Sequence, residues 1–301
     1  MLIETNLPRE FLVRRGKVRD TFQLGGDMLL MVATDRISAF DVVLPGGIPG
    51  KGLVLNQMSA FWFRKTKHIV PNHFVALADE LLTGVTREVV LLSDFFPEIT
   101  RQAMVVQMAE RIDIECIVRG YITGSAWEEY QRHGTVWGKS MPRGMLEGER
   151  FAYPLFTPTT KAETGHDQNM TWQQVVDMVG EERARQLEGI SVAVYQFAHD
   201  YALPRGIIVA DTKMEFGLVN GQLTLIDELL TPDSSRFWDR EGYAPGRSQP
   251  NFDKQSVRDY LNSVGWNHEP PAPELPPDIV QKTSERYSEV YHLLTGERIA
   301  A

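Results

Sequence analysis

The sequence predicts an α+β fold with two lobes, and three observations support this class. Residues 10–45 read as short strands joined by glycine-containing turns, which is typical of an antiparallel sheet. The pair Asn220-Gly221 separates two strand-like segments and is a strong hairpin signal. Helices are predicted between and after these strands. A chain of 301 residues is long enough for one large core or for two lobes that share a cleft.

The charge, the cysteine count and the lack of long apolar runs exclude several classes of protein. The net charge is −9 and the pI is about 5.4, which argues against a general nucleic-acid or anionic-membrane surface. Cys116 is the only cysteine, so no intrachain disulfide can form, which suits a reducing compartment. The N-terminus has no apolar signal core, and no apolar run approaches the ~20 residues that span a bilayer. We therefore expect a cytoplasmic protein without nucleic-acid or membrane partners.

The first strands carry a possible anion site. Gly16-Lys17 opens one strand, and Gly25-Gly26 turns into the buried strand MLLMVAT. A glycine–lysine turn lets the backbone approach a polyphosphate, and the lysine adds a point charge. The alternative is an ordinary hairpin with an exposed lysine. The pattern alone leaves both open.

A polar loop follows this strand. Asp35, Ser38 and Asp41 lie in ATDRISAFD, at a strand end where functional groups are common, although Asp and Ser are also frequent turn formers. The next segment, PGGIPGKG, does not fit a P-loop, because proline and glycine replace the required first glycine and final Ser or Thr. It should instead lead into a helix whose Met, Phe and Trp residues pack in the core.

A second segment with candidate functional residues follows the buried strand AMVVQMA. The lobe boundary is predicted near Met108, at the end of that strand. In ECIVRGYITGSAWEEY, Arg119 ends a short strand. Ser125 begins a helix with Glu128 three residues later, which is a capping-box pattern. A helix N-terminus beside an arginine also suits a phosphate.

A long polar loop, TPTTKAETGHDQN, carries Lys161, His166 and Asp167. Its length is unusual for a loop without a role. Two side chains make a weak case for a metal, and the loop does not match the H-R-D-x-x-x-x-N pattern of protein kinases.

The remaining helices and the central strand complete the second lobe. The predicted segments are a helix from the Thr171–Gln174 capping box to about Leu187, a helix over about 189–202, a central strand over 206–210, a helix over 252–261 with Asp253 as N-cap, and a last helix from about Asp278 to Thr295, closed by Gly296.

Two carboxylates flank the predicted hairpin. A two-residue Asn220-Gly221 loop pairs Glu215 with Ile226 and puts Glu215 and Asp227 on opposite faces, and this loop gives the cleaner amphipathic ribbon. A loop of odd length brings both acids to one face, where they would suit Mg²⁺. The non-functional alternative is a surface hairpin whose acidic side chains are solvated.

Six segments along the chain resemble the SAICAR synthetase family, purine-pathway ligases. They are GKVRD, ATDRISAFD, ECIVRGYITGSAW, TPTTKAETGHDQN, DTKMEFG and IDELLTPDSSRFW, in family order over nearly the whole chain. In that family the acids matching Glu215 and Asp227 bind metal–ATP, so the resemblance favours the odd-length loop. It implies an ATP-grasp-like arrangement, with residues 1–108 as a β lobe that covers ATP and 109–301 as a mixed lobe with the metal and substrate sites.

The resemblance also implies a set of site residues. For ATP they are Gly16, Lys17, Arg19, Gln107, Lys161, Glu215 and Asp227, the last two through Mg²⁺; for the ribotide they are Arg119, Ser125, Asp167, Ser235, Arg236, Lys254 and Arg258. Lys17 and Lys161 are predicted to act in catalysis. Asp35 and Asp41 are candidates for the group that deprotonates the amine.

The reaction implied is ATP, carboxy-aminoimidazole ribotide (CAIR) and L-aspartate giving SAICAR, ADP and phosphate. Two alternatives remain from the sequence: a kinase-type phosphotransferase and a non-catalytic nucleotide-binding module. A monomer or a homodimer is expected.

Overall fold

The computed structural model describes residues 1–81, 97–161, 168–252 and 254–299. Two antiparallel sheets dominate it, one of five and one of six strands. This confirms the α+β class with two lobes. No helix in these ranges is both long and apolar enough to cross a membrane.

The first part of the chain forms the five-stranded sheet and the helices around it. Its elements are β1 (Leu12–Arg15), β2 (Arg19–Gly25), β3 (Met28–Ala33), β4 (Ser38–Ala39), β5 (Val42–Val43), α1 (Lys51–Thr66), β6 (Phe74–Leu77), α2 (Ala78–Leu81), α3 (Pro97–Thr100) and β7 (Ala103–Gln107). The strand order is β1-β2-β3-β7-β6, and β4 pairs with β5 separately.

The second part forms the six-stranded sheet. Its elements are β8 (Glu110–Tyr121), α4 (Ser125–His133), β9 (Thr135–Val136), β10 (Lys139–Ser140), β11 (Arg150–Phe156), β12 (Thr159–Thr160), α5 (Trp172–Val179), α6 (Glu181–Ala202), β13 (Ile207–Val219), β14 (Gln222–Ile226), β15 (Ser235–Asp239), α7 (Gln255–Ser263) and α8 (Pro277–Thr295). Strand β13 is central, because it pairs with β8, β14 and β15.

The chain changes sheet near Met108. Strand β7 ends at Gln107 and β8 begins at Glu110. Helix α1 nevertheless packs into a core shared by both sheets, where Trp62 belongs to the same buried cluster as Met104 and Phe216. The division into two domains at residue 108 therefore stays a prediction.

The hairpin register corrects the expectation of an odd-length loop. Glu215 pairs with Ile226 and Val219 with Gln222, which leaves only Asn220 and Gly221 in the turn. Both turn residues are left-handed, with φ of 51° and 78°. Asn-Gly adopts this conformation at little cost, and the resulting turn matches the twist of the flanking strands. The odd-length loop was wrong, and the two-residue turn of the local pattern forms.

The helices around the second sheet partly follow the sequence pattern. The Thr171–Gln174 capping box and the closure of α8 by Gly296 are confirmed. The helix predicted to reach Leu187 ends at Val179, because Gly180 (φ 81°, ψ 155°) separates α5 from α6. The predicted N-cap Asp253 lies outside the described residues.

Gly120 in β8 provides a test of this packing. A Cβ there would lie 1.8 Å from the Tyr195 hydroxyl oxygen, which donates to the Val209 carbonyl at 2.8 Å. We expect Gly120→Ala to lower the free energy of unfolding by about 1–3 kcal/mol, since the tyrosine must move. Chemical denaturation measures this. The control Gly189→Ala lies on the same helix as Tyr195 with open space around it, and should instead add about 0.5–1 kcal/mol. Equal losses in both variants would contradict the packing argument.

Candidate active site

Alternate residues of two neighbouring strands form one polar face. On β13 these are Asp211, Lys213 and Glu215, and their partners on β8 are Arg119, Ile117 and Glu115. The intervening residues Met214 and Phe216 are fully buried in the core. The two-residue period of a strand therefore separates a packed face from a charged one.

Two pockets meet on this face. The turn pocket, about 520 Å³, is lined by the 16–19 turn together with Glu115, Lys161, Lys213, Asp227 and Glu228. The arginine pocket, about 190 Å³, is lined by residues that include Arg119, Asp211, Lys213, Arg236, Lys254 and Arg258. Lys213 lines both pockets, so its side chain is their common wall.

Gly16 and Lys17 lie in the turn between β1 and β2 and do not open a strand. The Gly16 amide donates to the Arg19 carbonyl at 2.6 Å. A Cβ at position 16 would lie 2.8 Å from that oxygen, so glycine is required for this tight turn. Lys17 pairs with Asp41 at 2.5 Å at the exposed mouth of the turn pocket. The turn thus presents backbone and a lysine to the pocket.

Arg19 reaches across to the hairpin end. Its guanidinium lies 2.5 Å from Glu228, whose other partner is the hydroxyl of Thr231. Burial would lower the pKa of Arg19, but the charge and hydrogen bond of Glu228 outweigh it and raise that pKa. Arg19 is therefore a fixed cation on the wall of the turn pocket.

Glu215 and Asp227 come together despite their register. Strand β14 ends at Ile226, and Asp227 has a left-handed φ of 64°, so the alternation of faces stops there. The His73 ring nitrogen Nε2 lies 3.2 Å from the Asp227 carbonyl oxygen. Burial and the nearby Asp227 raise the pKa of Glu215 to about 7. Glu215 and Asp227 are therefore near enough for the charge of one to affect the other, and their shared metal site stays a prediction.

Two lysines balance this acidic pair. Lys161 forms an ion pair with Glu215, and Lys213 lies 2.5 Å from Glu115. Burial opposes ionisation of Asp227, but the charges of Arg19, Lys161 and Lys213 hold its pKa below the usual range. Among the described residues, no group of three or more His, Cys, Asp or Glu is placed to hold a metal ion. Any cation here would have two protein carboxylates.

Arg119 and Arg236 share one counter-ion in the arginine pocket. Arg119 Nη1 lies 2.9 Å from Asp211 Oδ2, and Arg236 Nη1 contacts the same oxygen. Burial and the neighbouring Arg236 lower the pKa of Arg119 to about 10, although Asp211 opposes this. Among the described residues, Asp211 is the carboxylate that both guanidinium groups contact, and cations of this kind suit an anion.

The start of α4 completes this pocket. Ser125 is the first helical residue and Gly124 is the N-cap, so the predicted Ser125–Glu128 capping box does not form. The Ser125 hydroxyl instead accepts from Arg119 Nη2 at 3.3 Å. A Cβ on Gly124 would lie 2.7 Å from Arg236 Nη2, so glycine admits the arginine. Arg119 itself lies within β8, which extends to Tyr121.

The structure describes three further predicted ribotide residues, all lining the arginine pocket: Ser235, Lys254 and Arg258. Ser235 is buried and exchanges a 2.8 Å hydrogen bond with the Thr212 hydroxyl. Lys254 lies 3.2 Å from Asp233, and Arg258 lines the same pocket. Asp167 and His166 lie outside the described residues.

Asp35 is placed differently from the other candidates. Its Oδ2 accepts from the Leu2 amide at 2.6 Å, and its Oδ1 accepts from the Gly52 amide at 2.8 Å. The residue is 2% exposed and lines neither cleft pocket. These contacts favour a structural role, in which Asp35 ties the N-terminus to the start of α1.

Gln107 is the last residue of β7 and pairs with Met28 of β3. Its backbone amide donates to the His73 carbonyl at 2.8 Å. Its contact with adenine stays a prediction.

Four charged residues of the site were not predicted from the sequence: Glu115, Asp211, Lys213 and Glu228. The first three had a readable signal, since charged residues recur at two-residue spacing at Asp113 and Glu115 and at Asp211, Lys213 and Glu215. Glu228 had none, because its partner Arg19 is more than two hundred residues away in sequence.

Comparisons with known proteins agree over the whole chain. A family model described as SAICAR synthetase matches residues 12–273. A phosphoribosylaminoimidazole-succinocarboxamide synthase from Thermodesulfovibrio yellowstonii is 51% identical, over 98% of this chain and 99% of its own length. One from Methylococcus capsulatus is 50% identical, over 98% of each chain.

Solved structures show the same similarity. A SAICAR synthase from Saccharomyces cerevisiae in complex with SAICAR has a TM-score of 0.90 and 40% identity, and the match covers 100% of both chains. A Type-2 SAICAR synthetase in complex with ADP has a TM-score of 0.69 at 23% identity, over 96% of this chain and 99% of that one, and shows a shared fold.

Proposed function

The chain belongs to the SAICAR synthetase family, and from this premise we infer that it is a ligase that joins L-aspartate to the carboxylate of CAIR at the expense of ATP. The products are SAICAR, ADP and phosphate. One observation carries the assignment to this cleft: the turn pocket and the arginine pocket meet at Lys213. A nucleotide in the first and a ribotide in the second would have their reacting groups side by side.

The reaction needs positioning and charge neutralisation more than a nucleophilic side chain. A carboxylate resists attack by an amine because oxide would have to leave. A CAIR carboxylate oxygen therefore attacks the γ-phosphorus and ADP leaves. The aspartate amine then attacks the acyl carbon, loses a proton, and phosphate leaves with that oxygen. Such steps are accelerated by alignment and by fixed cations.

The turn pocket is the proposed ATP site. Gly16 gives the tight backbone approach, and Lys17 and Arg19 supply cations on the same wall. Lys161 faces them and is the second proposed catalytic lysine. Gln107 is proposed to contact the base with its neighbouring backbone. Each of these groups would neutralise or orient phosphate oxygens or adenine.

Glu215 and Asp227 are the proposed magnesium ligands. Glu215 is buried, Asp227 is half-buried, and the charge of Asp227 disfavours ionisation of Glu215. A dication would relieve this repulsion better than the lysine pairing alone. Mg²⁺ commonly uses one or two protein carboxylates and completes its shell with phosphate and water. When bound, it neutralises charge on the ATP oxygens. Lys161, released from Glu215, would then be available to the phosphates.

The raised pKa of Glu215 predicts a pH effect. Below about pH 7 Glu215 is protonated, so kcat/KM for ATP should fall as the pH decreases through this value at low Mg²⁺. Higher Mg²⁺ should move this acid limb to lower pH, since metal and proton compete for the same carboxylate. Steady-state pH profiles at two Mg²⁺ concentrations measure this. An acid limb that does not respond to Mg²⁺ would contradict the assignment.

The arginine pocket is the proposed ribotide site. Arg119 and Arg236 offer net positive charge beside the N-terminus of α4, which suits a phosphate. Ser125 positions Arg119, and Lys254 and Arg258 add cations from the α7 side. Further proposed ribotide residues are Ser235 and Asp167. The cluster supplies local positive charge within an acidic protein.

The group that accepts the amine proton was predicted to be Asp35 or Asp41. The contacts of Asp35 favour its structural role, whereas Asp41 lies at the mouth of the turn pocket beside Lys17. Asp41 is the better placed of the two.

We further propose that the protein works in the cytoplasm, as a monomer or homodimer, without nucleic-acid or membrane partners. The acidic net charge of −9 supports the absence of a polyanion partner.

ADP release tests the function against its two alternatives. Purified protein with Mg²⁺ and ATP is given CAIR alone, L-aspartate alone, or both, and the product is followed by mass. The ligase requires both substrates for sustained ADP release and yields SAICAR. Transfer to another acceptor would favour a phosphotransferase, and binding without turnover would favour a nucleotide-binding module.

A further inference from the structure

A second charged cluster adjoins the arginine pocket, where α1, α7 and α8 approach each other. Its centre is Asp233, whose side chain is 3% exposed. Lys51 Nζ lies 2.7 Å from Asp233 Oδ2, and the Tyr287 hydroxyl donates to Oδ1 at 2.7 Å. Lys254 Nζ lies 3.2 Å from the same Oδ1. The three donors come from the start of α1, the middle of α8 and the N-cap of α7.

The charges of this cluster do not cancel. Two lysines face one carboxylate, and the Lys51 side chain is 0% exposed. Burial lowers the pKa of Lys51 to about 8, although Asp233 opposes this. Burial also disfavours ionised Asp233, but Lys254 and Lys51 hold its pKa well below the usual range. Lys51 and Asp233 therefore form a buried pair, and the positive charge left over is that of Lys254.

Lys254 is the cation of this cluster that lines the arginine pocket, which Asp233 also lines. Its side chain is 11% exposed and lines the arginine pocket together with Arg119, Arg236 and Arg258. An ammonium has three donors, and one of them is directed at Asp233. Because Lys51 and Tyr287 occupy the carboxylate from the other sides, Lys254 makes the longest of the three contacts. Its remaining donors can serve an anion in the pocket.

We propose that Lys51 and Tyr287 are positioning residues that act through Asp233 to hold Lys254 at the ribotide side of the cleft. The inference rests on the proposed role of Lys254 in binding the ribotide. It extends the site to α8, whose Ser284 hydroxyl donates to the Pro49 carbonyl at 2.7 Å and so keeps the helix against the start of α1. The last long helix then contributes to substrate affinity without touching substrate.

The contacts of Asp233 determine how each substitution would affect Lys254. Without the Tyr287 hydroxyl, Asp233 Oδ1 loses its shorter donor, and the Lys254 ammonium is drawn toward that oxygen. Without the Lys51 ammonium, Asp233 depends on Lys254 alone for a counter-charge. Both changes turn Lys254 away from the pocket, so ribotide binding weakens while the turn pocket is unchanged.

The first test compares Tyr287→Phe with Tyr291→Phe. Tyr291 lies on the same helix, and its hydroxyl is 3.2 Å from Glu297 and outside the cluster. We expect Tyr287→Phe to raise KM for CAIR about three- to tenfold, because one hydrogen bond to a charged group is lost. KM for ATP and kcat should stay within about twofold, and Tyr291→Phe should change none of these constants. A fall in melting temperature with an unchanged KM for CAIR would assign Tyr287 a merely structural role and overturn the inference.

Two further variants separate this inference from the proposed function. Lys51→Met should raise KM for CAIR by at least as much as Tyr287→Phe, and Lys254→Met by more than either. If Lys254→Met leaves KM for CAIR unchanged, the proposed role of Lys254 is wrong and the inference falls with it. If Lys254→Met raises that KM but the Tyr287 and Lys51 variants do not, only the positioning role is wrong. Should Lys51→Met fail to fold, the tyrosine comparison decides alone.

Discussion

Replacement of Glu215 by glutamine is expected to lower kcat/KM for ATP by about 10²–10³-fold. Glu215 is 4% exposed and sits beside Asp227 and Lys161, where the carboxylate charge cannot be replaced by water. The amide keeps the shape but removes the anion that would hold Mg²⁺. Lys161 would also lose the partner that now fixes it.

A magnesium titration distinguishes this loss from general damage. The Mg²⁺ concentration for half-maximal activity should rise in Glu215→Gln and in Asp227→Asn. The matched control is Glu182→Gln, an exposed glutamate on α6, which should leave activity and Mg²⁺ dependence unchanged. Unchanged Mg²⁺ dependence in both site variants would show that these carboxylates are not the metal ligands.

Replacement of Arg119 by methionine is expected to lower kcat/KM for CAIR by about 30- to 4,000-fold. Truncating one partner of a buried charge pair costs about 2–5 kcal/mol, and every 1.4 kcal/mol is about tenfold. Arg119 is 4% exposed and shares Asp211 with Arg236. In its absence Asp211 would neutralise Arg236, so the pocket would lose both its cation and the net positive charge.

The effect should be confined to the ribotide. KM for ATP in Arg119→Met should remain within about twofold of that of the unmodified protein. Arg205→Met is the control, because Arg205 is exposed, stacks on Tyr201 and hydrogen-bonds to one carbonyl, yet lies outside both pockets. If Arg119→Met changed KM for ATP and KM for CAIR equally, Arg119 would have a structural role and no direct contact with substrate phosphate.

The sequence pattern predicted the hairpin turn but did not predict the backbone conformation of Asp227. Asn220-Gly221 predicted the two-residue turn from local chemistry, and that turn forms. The family resemblance placed Glu215 and Asp227 together, and their charges do interact. The two inferences conflicted only because strand alternation was extended one residue too far. The left-handed backbone of Asp227 cannot be read from a period of two.

Lys213 and Glu115 were readable but overlooked. Lys213 precedes the apolar Met214, and Glu115 lies between the apolar Ile114 and Cys116, so alternation predicts the face of each. Alternation does not predict that β8 pairs with β13. This pairing places Glu115 directly across from Glu215. Such long-range register depends on the packing of the whole sheet.

Lys51 was beyond prediction. It lies in a segment that fails the P-loop pattern, and a lysine is rarely buried without a counter-ion. Its partner Asp233 lies 182 residues further along the chain. Ser125 illustrates the reverse case, in which a satisfying local pattern, the capping box, gives way to a contact with Arg119.

ATP and the ribotide are proposed to react directly at the junction of the two pockets. CAIR labelled with ¹⁸O at both carboxylate oxygens, incubated with ATP, Mg²⁺ and L-aspartate, tests it by mass spectrometry of the released phosphate. Direct attack on the γ-phosphorus predicts one ¹⁸O in each phosphate and one in the amide of the product. Phosphate without ¹⁸O would contradict the account, because the carboxylate oxygen would then never have been joined to phosphorus.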